Sequence, residues 1–95
     1  MKVINNIVYA DNEEFLITVV SVRAMEDYKL WARFSTGETK VFDFVPFLDK
    51  GMFSLLKDKT LFNDVYVDYG IPVWCNGDID IAPERLYYEG VSVNN

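Results

Sequence analysis

The sequence contains no histidine, and Cys75 is its one cysteine among 95 residues. Without an imidazole the chain cannot build a Ser-His-Asp or Cys-His catalytic centre, because histidine is the usual general base near neutral pH. A lone cysteine also excludes an intramolecular disulfide and a zinc site made of several cysteine and histidine ligands. We therefore expect a protein that is not an enzyme and that resides in a reducing, cytoplasmic compartment.

Basic residues are scarce as well. Nine lysines and arginines stand against 15 acids, which gives a formal net charge of −6. Nucleic-acid binding draws much of its affinity from clustered basic side chains, so direct contact with DNA or RNA is not expected. The longest apolar run, residues 15–22, is interrupted by Thr18 and Ser21. That run is far shorter than the roughly 20 residues that span a bilayer, so we expect no membrane association.

Apolar and aromatic residues, in contrast, are plentiful. They make up 51% and 16% of the chain, enough for one hydrophobic core and too much for a disordered segment. No linker rich in proline, glycine or serine divides the sequence. Residues 1–95 are therefore predicted to form a single domain, with residues 91–95 as a frayed tail.

Alternating apolar residues predict three successive strands, at residues 15–25, 28–34 and 40–45. The short connections between them require neighbouring strands to pair as an antiparallel meander. In the second strand the alternation separates two faces, one with Tyr28, Leu30, Ala32 and Phe34, the other with Lys29, Trp31 and Arg33. In the third strand, Phe42 and Phe44 alternate with Val41 and Asp43.

The second half of the chain mixes short helices and strands. Pro46 predicts one helical turn that ends at Gly51, residues 53–58 suit a short amphipathic helix, and Pro83 begins a helix that ends at Gly90. Strands are predicted at residues 65–69 and 71–74, and Asn76-Gly77 is a turn signal. A strand at residues 3–9 could add to one edge. The expected fold class is α+β, a small antiparallel sheet carrying two or three short helices.

Two groups of residues are candidates for a site. Asp64, Asp68, Asp78 and Asp80 could offer oxygen ligands to a hard cation, but no loop has EF-hand spacing, and carboxylates in turns commonly accept backbone N–H groups. We predict no catalytic residue, no cofactor and no metal site. Trp31, between Lys29 and Arg33, is predicted to contact a partner, because aromatic residues and arginine are enriched at interfaces. The predicted interaction residues are Trp31, Trp74, Asn76, Asp78 and Asp80.

An ordered set of short motifs over residues 17–88 resembles the small bacterial family known as domain of unknown function 2442 (DUF2442). The motifs are Asp27-Tyr28-x-Leu30, Phe34-x-x-Gly37-Glu38, Phe42-Asp43-Phe44-x-Pro46, Gly51-x-Phe53-x-x-Leu56-x-Asp58, Phe62-x-x-Val65 and Trp74-x-Asn76-Gly77-x-x-Asp80, then Pro83 and Leu86-Tyr87. Cys75 and Ile79 depart from the pattern, where proline and a small residue are common. The resemblance implies an α+β fold and a gene that often lies beside that of another small protein, in a toxin–antitoxin-like arrangement.

Two function classes follow from these observations. The leading hypothesis is a non-enzymatic protein–protein interaction module, antitoxin-like or accessory to a neighbouring gene product, whose acidic surface meets a basic partner. The alternative is a domain that binds a small ligand or divalent cation at the turn of residues 74–80. A homodimer formed through an uncovered sheet edge is a further hypothesis.

Overall fold

The computed structural model describes residues 16–93, which form two antiparallel sheets and two α-helices connected by 3₁₀ turns. The strands are β1 Val19–Met25, β2 Lys29–Phe34, β3 Thr39–Asp43, β4 Tyr66–Asp68, β5 Ile71–Trp74, β6 Ile79–Asp80 and β7 Val91–Ser92. The helices are α1 Lys59–Asn63 and α2 Pro83–Glu89, and the 3₁₀ segments are Glu26–Tyr28, Val45–Phe47, Gly51–Lys57 and Cys75–Gly77. The predicted α+β class is confirmed, although the strands divide into two sheets. The predicted strand at residues 3–9 lies outside the described residues.

The larger sheet has the strand order β1-β2-β3-β7, and its first three strands are the predicted meander. Leu30, Ala32 and Phe34 of β2 are buried, as the alternation predicts. The register between β1 and β2 shifts between Val19 and Ser21, which identifies a β-bulge. The bulge lets Val19 point into the core, while Val20 is 56% exposed.

The chain end differs from the sequence-based prediction of a frayed tail. Ser92 pairs with Lys40, and Val91 pairs with Val41, so β7 completes the larger sheet. The amide of Val93 then donates to the carbonyl of Thr39 at 3.0 Å, a usual length for a backbone hydrogen bond. Backbone pairing with β3 orders a segment whose own side chains carry little apolar burial.

The smaller sheet has the order β4-β5-β6 and is joined to the larger one at the start of β1. Tyr69 and Gly70 connect β4 to β5 with φ values of 51° and 80°. Two consecutive positive φ angles are typical of a type I′ turn, whose twist matches that of the flanking strands. The carbonyl of Gly70 accepts from the amide of Val19 at 2.9 Å, which fixes this turn against β1.

The core lies between the inner faces of the two sheets, the helices and the 3₁₀ segments. Phe44 is fully buried at its centre and lies with its ring centroid 5.0 Å from that of Phe53, 5.5 Å from Trp74 and 5.7 Å from Phe62. Edge-to-face and tilted arrangements of this kind are the favourable ones for aromatic pairs. Phe44, Phe62 and Trp74 are buried in the core, and the partly buried Phe53 packs against them.

The sequence predicted some of the helices better than others. α2 begins at Pro83 and is followed by Gly90, as predicted from the sequence. Sequence reasoning missed α1, although Asp58 caps it by accepting from the amide of Thr60 at 2.9 Å. The two predicted helical segments before α1 are 3₁₀ helices. Among residues 16–93, no helix has both the length and the apolar character needed to cross a membrane.

α2 is tied by polar contacts to the β2–β3 turn and to β3. The Tyr87 hydroxyl donates to Glu38 Oε1, and the Thr36 hydroxyl donates to the same oxygen at 2.9 Å. Both donors favour the ionised carboxylate, the Tyr87 bond most strongly, so the pKa of Glu38 lies below its ordinary value of 4.5. Lys40 Nζ donates to the carbonyl of Tyr87 at 2.6 Å, which adds a second connection.

Tyr87→Phe should therefore raise the pKa of Glu38 towards its ordinary value. In the native protein this pKa is depressed, so the carboxylate stabilises the fold above the unfolded-state pKa, and the contribution is lost as pH falls through the folded-state pKa. The free energy of unfolding of the variant should therefore depend less on pH in the range where Glu38 becomes protonated. An NMR titration of the Glu38 carboxyl carbon measures the shift. Tyr88→Phe, at a neighbouring exposed tyrosine, is the control, and an unchanged Glu38 pKa in Tyr87→Phe would contradict the assignment.

Candidate interaction surfaces

The structure does not bring the five predicted interaction residues into one site. Trp74 corrects the sequence-based interpretation, because it is 0% exposed and its ring lies in the core against Phe44 and Phe62. Its Nε1–H donates to the carbonyl of Phe62 at 2.9 Å. Trp74 therefore cannot stack on a ligand at the turn that follows it.

The turn after Trp74 is exposed and tightly wound. Cys75 and Asn76 have φ values of 54° and 57°, both in the left-handed region. Asn76, Asp78 and Asp80 are all exposed. Within residues 16–93, no three acidic or cysteine side chains come together in a group that could hold a metal ion. The small-ligand or cation hypothesis for this turn stays a prediction.

Asp80 instead belongs to a groove of about 390 Å³ between the start of β1 and the start of α2. We call this the acidic groove, and its wall residues include Leu16, Thr18, Tyr69, Ile71, Asp80 and Glu84. Ile71 is half-buried, whereas Asp80 and Glu84 are exposed. The groove therefore combines an apolar wall with two carboxylates at its rim.

Two large apolar side chains in the acidic groove are unusually open to solvent. Tyr69 is 95% exposed and Leu16 is 78% exposed. Tyr69 is held at the tip of the β4–β5 turn with a left-handed backbone, φ 51°, although it is not a glycine. Sequence reasoning missed both residues and assigned Tyr69 to a strand. The signal that could have located it is the adjacent Gly70, since a residue beside a turn glycine projects from the end of a hairpin.

The charged residues that line the acidic groove, Asp80 and Glu84, are both acidic. Residues 60–84 contain no lysine or arginine, and their acids are Asp64, Asp68, Asp78, Asp80 and Glu84. Arg85 is the next base along the chain, and its guanidinium lies 5.1 Å from the Phe47 ring centroid and 4.0 Å from Glu89. It is not among the residues that line the groove. The electrostatic field at Asp80 and Glu84 therefore favours a cation.

Trp31 lies on a different surface, the outward face of the larger sheet. It is half-buried, and Arg23 stands opposite it in the register of β1 and β2, with the guanidinium 4.8 Å from the ring centroid. Stacking of this kind is a cation–π contact. We call this surface the basic sheet face, and its residues are Arg23, Lys29, Trp31, Arg33 and Val41. Sequence alternation predicted three of its members, but Arg23 required the strand pairing.

The chain was compared with protein families, curated proteins and solved structures. The model of the family described as "Protein of unknown function (DUF2442)" matches residues 19–92, well over half of the chain. No curated protein and no solved structure gives a significant match. The matched range includes both sheets, both helices and the basic sheet face. The chain therefore belongs to the DUF2442 family of proteins of unknown function.

Proposed function

We propose that this protein is a non-enzymatic, cytoplasmic interaction module whose acidic groove receives a lysine or arginine side chain of a basic partner protein. The observation that carries the proposal is the pairing of exposed apolar side chains, Tyr69 and Leu16, with the carboxylates of Asp80 and Glu84 in one groove.

The chemistry of a long basic side chain suits this arrangement. Lysine and arginine carry an apolar stem and a charged head, so the stem can lie along Leu16 while the head reaches the two carboxylates. The exposed ring of Tyr69 can additionally take a cation over its face. A carboxylate and an aromatic ring on opposite sides of one cation give specificity that a charged surface alone lacks.

The backbone around the acidic groove is preorganised for binding. Gly70 and Val19 are joined by a 2.9 Å backbone hydrogen bond, and the amide of Ile81 donates to the carbonyl of Pro72 at 3.2 Å. These bonds hold the Tyr69 turn and the approach to α2 in place. A backbone already held in its bound conformation loses less conformational entropy on association. The first partner to test is the product of the neighbouring gene, as the antitoxin-like gene arrangement of the resembling family implies.

We expect the double variant D80N/E84Q to weaken capture of that gene product about three- to tenfold, since each exposed charge contributes modestly. Tyr69→Ala should weaken it by about tenfold or more, because tyrosine commonly dominates interface energetics. Co-purification from cells and calorimetry of the purified pair, each at low and high salt, measure the effect. Binding by the native protein should weaken as salt screens the carboxylates.

The matched control is D64N/D78N, which removes two charges from the same acidic segment outside the acidic groove. This control should bind nearly as well as the native protein. Equal weakening in both double variants would show that general acidity attracts the partner, and would overturn the groove as the site. A neighbouring gene product that fails to bind at low salt would overturn the proposed partner.

A further inference from the structure

We propose that the basic sheet face is a second docking surface, and that its occupant is an acidic, extended segment of a partner protein. This inference does not depend on the acidic groove, with which the basic sheet face shares no residue. It rests on the arrangement of cations around Trp31 and on the sign of the charge there.

The geometry of the face follows from strand register. Trp31 stands between Arg23 on β1 and Val41 on β3, and Arg33 follows two residues later on the same side of β2. Trp31 and Val41 are half-buried, and Arg23 and Arg33 are exposed. The result is an apolar centre in which the Arg23 guanidinium lies over the Trp31 ring, with Arg33 on the same side of the sheet. Tryptophan with neighbouring arginines is the composition typical of energetically dominant interface residues.

The basic sheet face is rich in basic residues, although the molecule as a whole is acidic. The chain carries a net charge of −6, yet Arg23, Lys29 and Arg33, three of its nine basic residues, lie together here. Among the outward-facing residues that the structure describes on β1, β2 and β3, Asp43 is the one acid, and it stands opposite Lys29. The part of the face around Arg23 and Arg33 is therefore a local positive region on an acidic protein, whereas Lys29 lies beside Asp43 and the Glu26-Asp27 turn. Charge complementarity selects an acidic occupant.

An acidic polypeptide fits this face better than a single-stranded nucleic acid does. A nucleic acid is bound through many phosphate contacts and several stacked bases, whereas this face offers three cations and one aromatic ring. Its continuous charge would also be repelled by the acids beyond the face. A peptide strand places side chains alternately, so carboxylates can reach Arg23 and Arg33 while apolar side chains cover Trp31.

The first measurement uses the two tryptophans of the chain. Trp74 is 0% exposed, so soluble quenchers act mainly on Trp31. If Arg23 and Arg33 set the local field, the ratio of iodide to caesium quenching should be several-fold higher than that of free N-acetyltryptophanamide. The double variant R23E/R33E should lower the ratio below that of the free amide. A native ratio equal to that of the free amide would overturn the positive field on which the proposal depends.

The second measurement tests binding directly. The probe is a short dye-labelled peptide in which glutamate alternates with valine, and fluorescence anisotropy reports its binding. We expect R23E/R33E to weaken binding about tenfold or more, on the basis of two reversed charges at exposed sites. The matched control K50E/K59E reverses two exposed charges outside the basic sheet face and should bind within about twofold of the native protein.

Three outcomes would overturn the proposal. The peptide does not bind the native protein, or R23E/R33E and K50E/K59E weaken it equally, or labelled oligothymidylate of the same length binds more tightly than the peptide. The last result would identify a nucleic acid as the occupant. Circular dichroism of each variant, which should match that of the native protein, separates lost binding from lost structure.

Discussion

Replacement of Trp74 by alanine should lower the free energy of unfolding by about 3–5 kcal/mol, the range typical of removing a large buried aromatic side chain. The ring is 0% exposed and lies with its centroid 5.5 Å from that of Phe44 and 6.1 Å from that of Phe62. Alanine would leave a cavity between the two sheets that neighbouring rings cannot fill without rotating. Chemical denaturation followed by circular dichroism measures the loss.

Two further variants separate the contribution of the Trp74 hydrogen bond from that of its buried ring. Trp74→Phe keeps an aromatic ring but removes the Nε1–H donor to the carbonyl of Phe62, and should cost about 1–3 kcal/mol for that buried acceptor. Trp31→Ala removes the same residue type from a half-buried surface position, and should cost about half as much as Trp74→Ala, or less. Equal losses from Trp74→Ala and Trp31→Ala would show that the assignment of Trp74 to the core is wrong.

Replacement of Gly70 by alanine should lower the free energy of unfolding by about 2–4 kcal/mol, the sum of backbone strain and overpacking. Gly70 has a φ of +80°, and a Cβ there would lie 2.9 Å from Thr18 Cβ, close to the backbone. Relief would require β1 and the β4–β5 turn to separate. Their separation would strain the Val19–Gly70 hydrogen bond and displace Tyr69.

Gly37→Ala is the matched control for Gly70→Ala. Gly37 also has a positive φ, +94°, but no atom lies within 4 Å of the position its Cβ would take. It should therefore show the backbone strain alone, about 1–2 kcal/mol. Thermal or chemical denaturation of both variants isolates the steric contribution of the contact with Thr18. A Gly70→Ala loss no larger than that of Gly37→Ala would contradict the close packing of the two sheets.

The sequence correctly predicted features that depend on a single strand or helix. The burial of Leu30, Ala32 and Phe34 could be predicted because a strand places alternate side chains on opposite faces. The bounds of α2 could be predicted to within a residue because proline favours the first helical turn and glycine follows its end.

Predictions from the sequence were wrong or incomplete where the position of a residue depends on contacts between elements. In β5 both alternating sets are apolar, so the sequence could not tell which face meets the core, and Trp74 was predicted to be an interaction residue. α1 has five residues, too few for a hydrophobic period to stand out, and its recognition depended on the Asp58 cap. Leu16 and Tyr69 are apolar residues that a pattern places inside, whereas the ends of their elements leave them open to solvent.

The amino-acid sequence was enough to exclude histidine-dependent chemistry, to predict the meander of the first strands and to show that acids outnumber bases. These properties depend on which residues are present and on short-range alternation. The burial of Trp74, the position of Arg23 over Trp31 and the placement of Tyr69 and Asp80 in one groove became known from the folded structure. Strand register and the packing of the two sheets bring together residues that are distant in sequence, and composition does not specify those contacts.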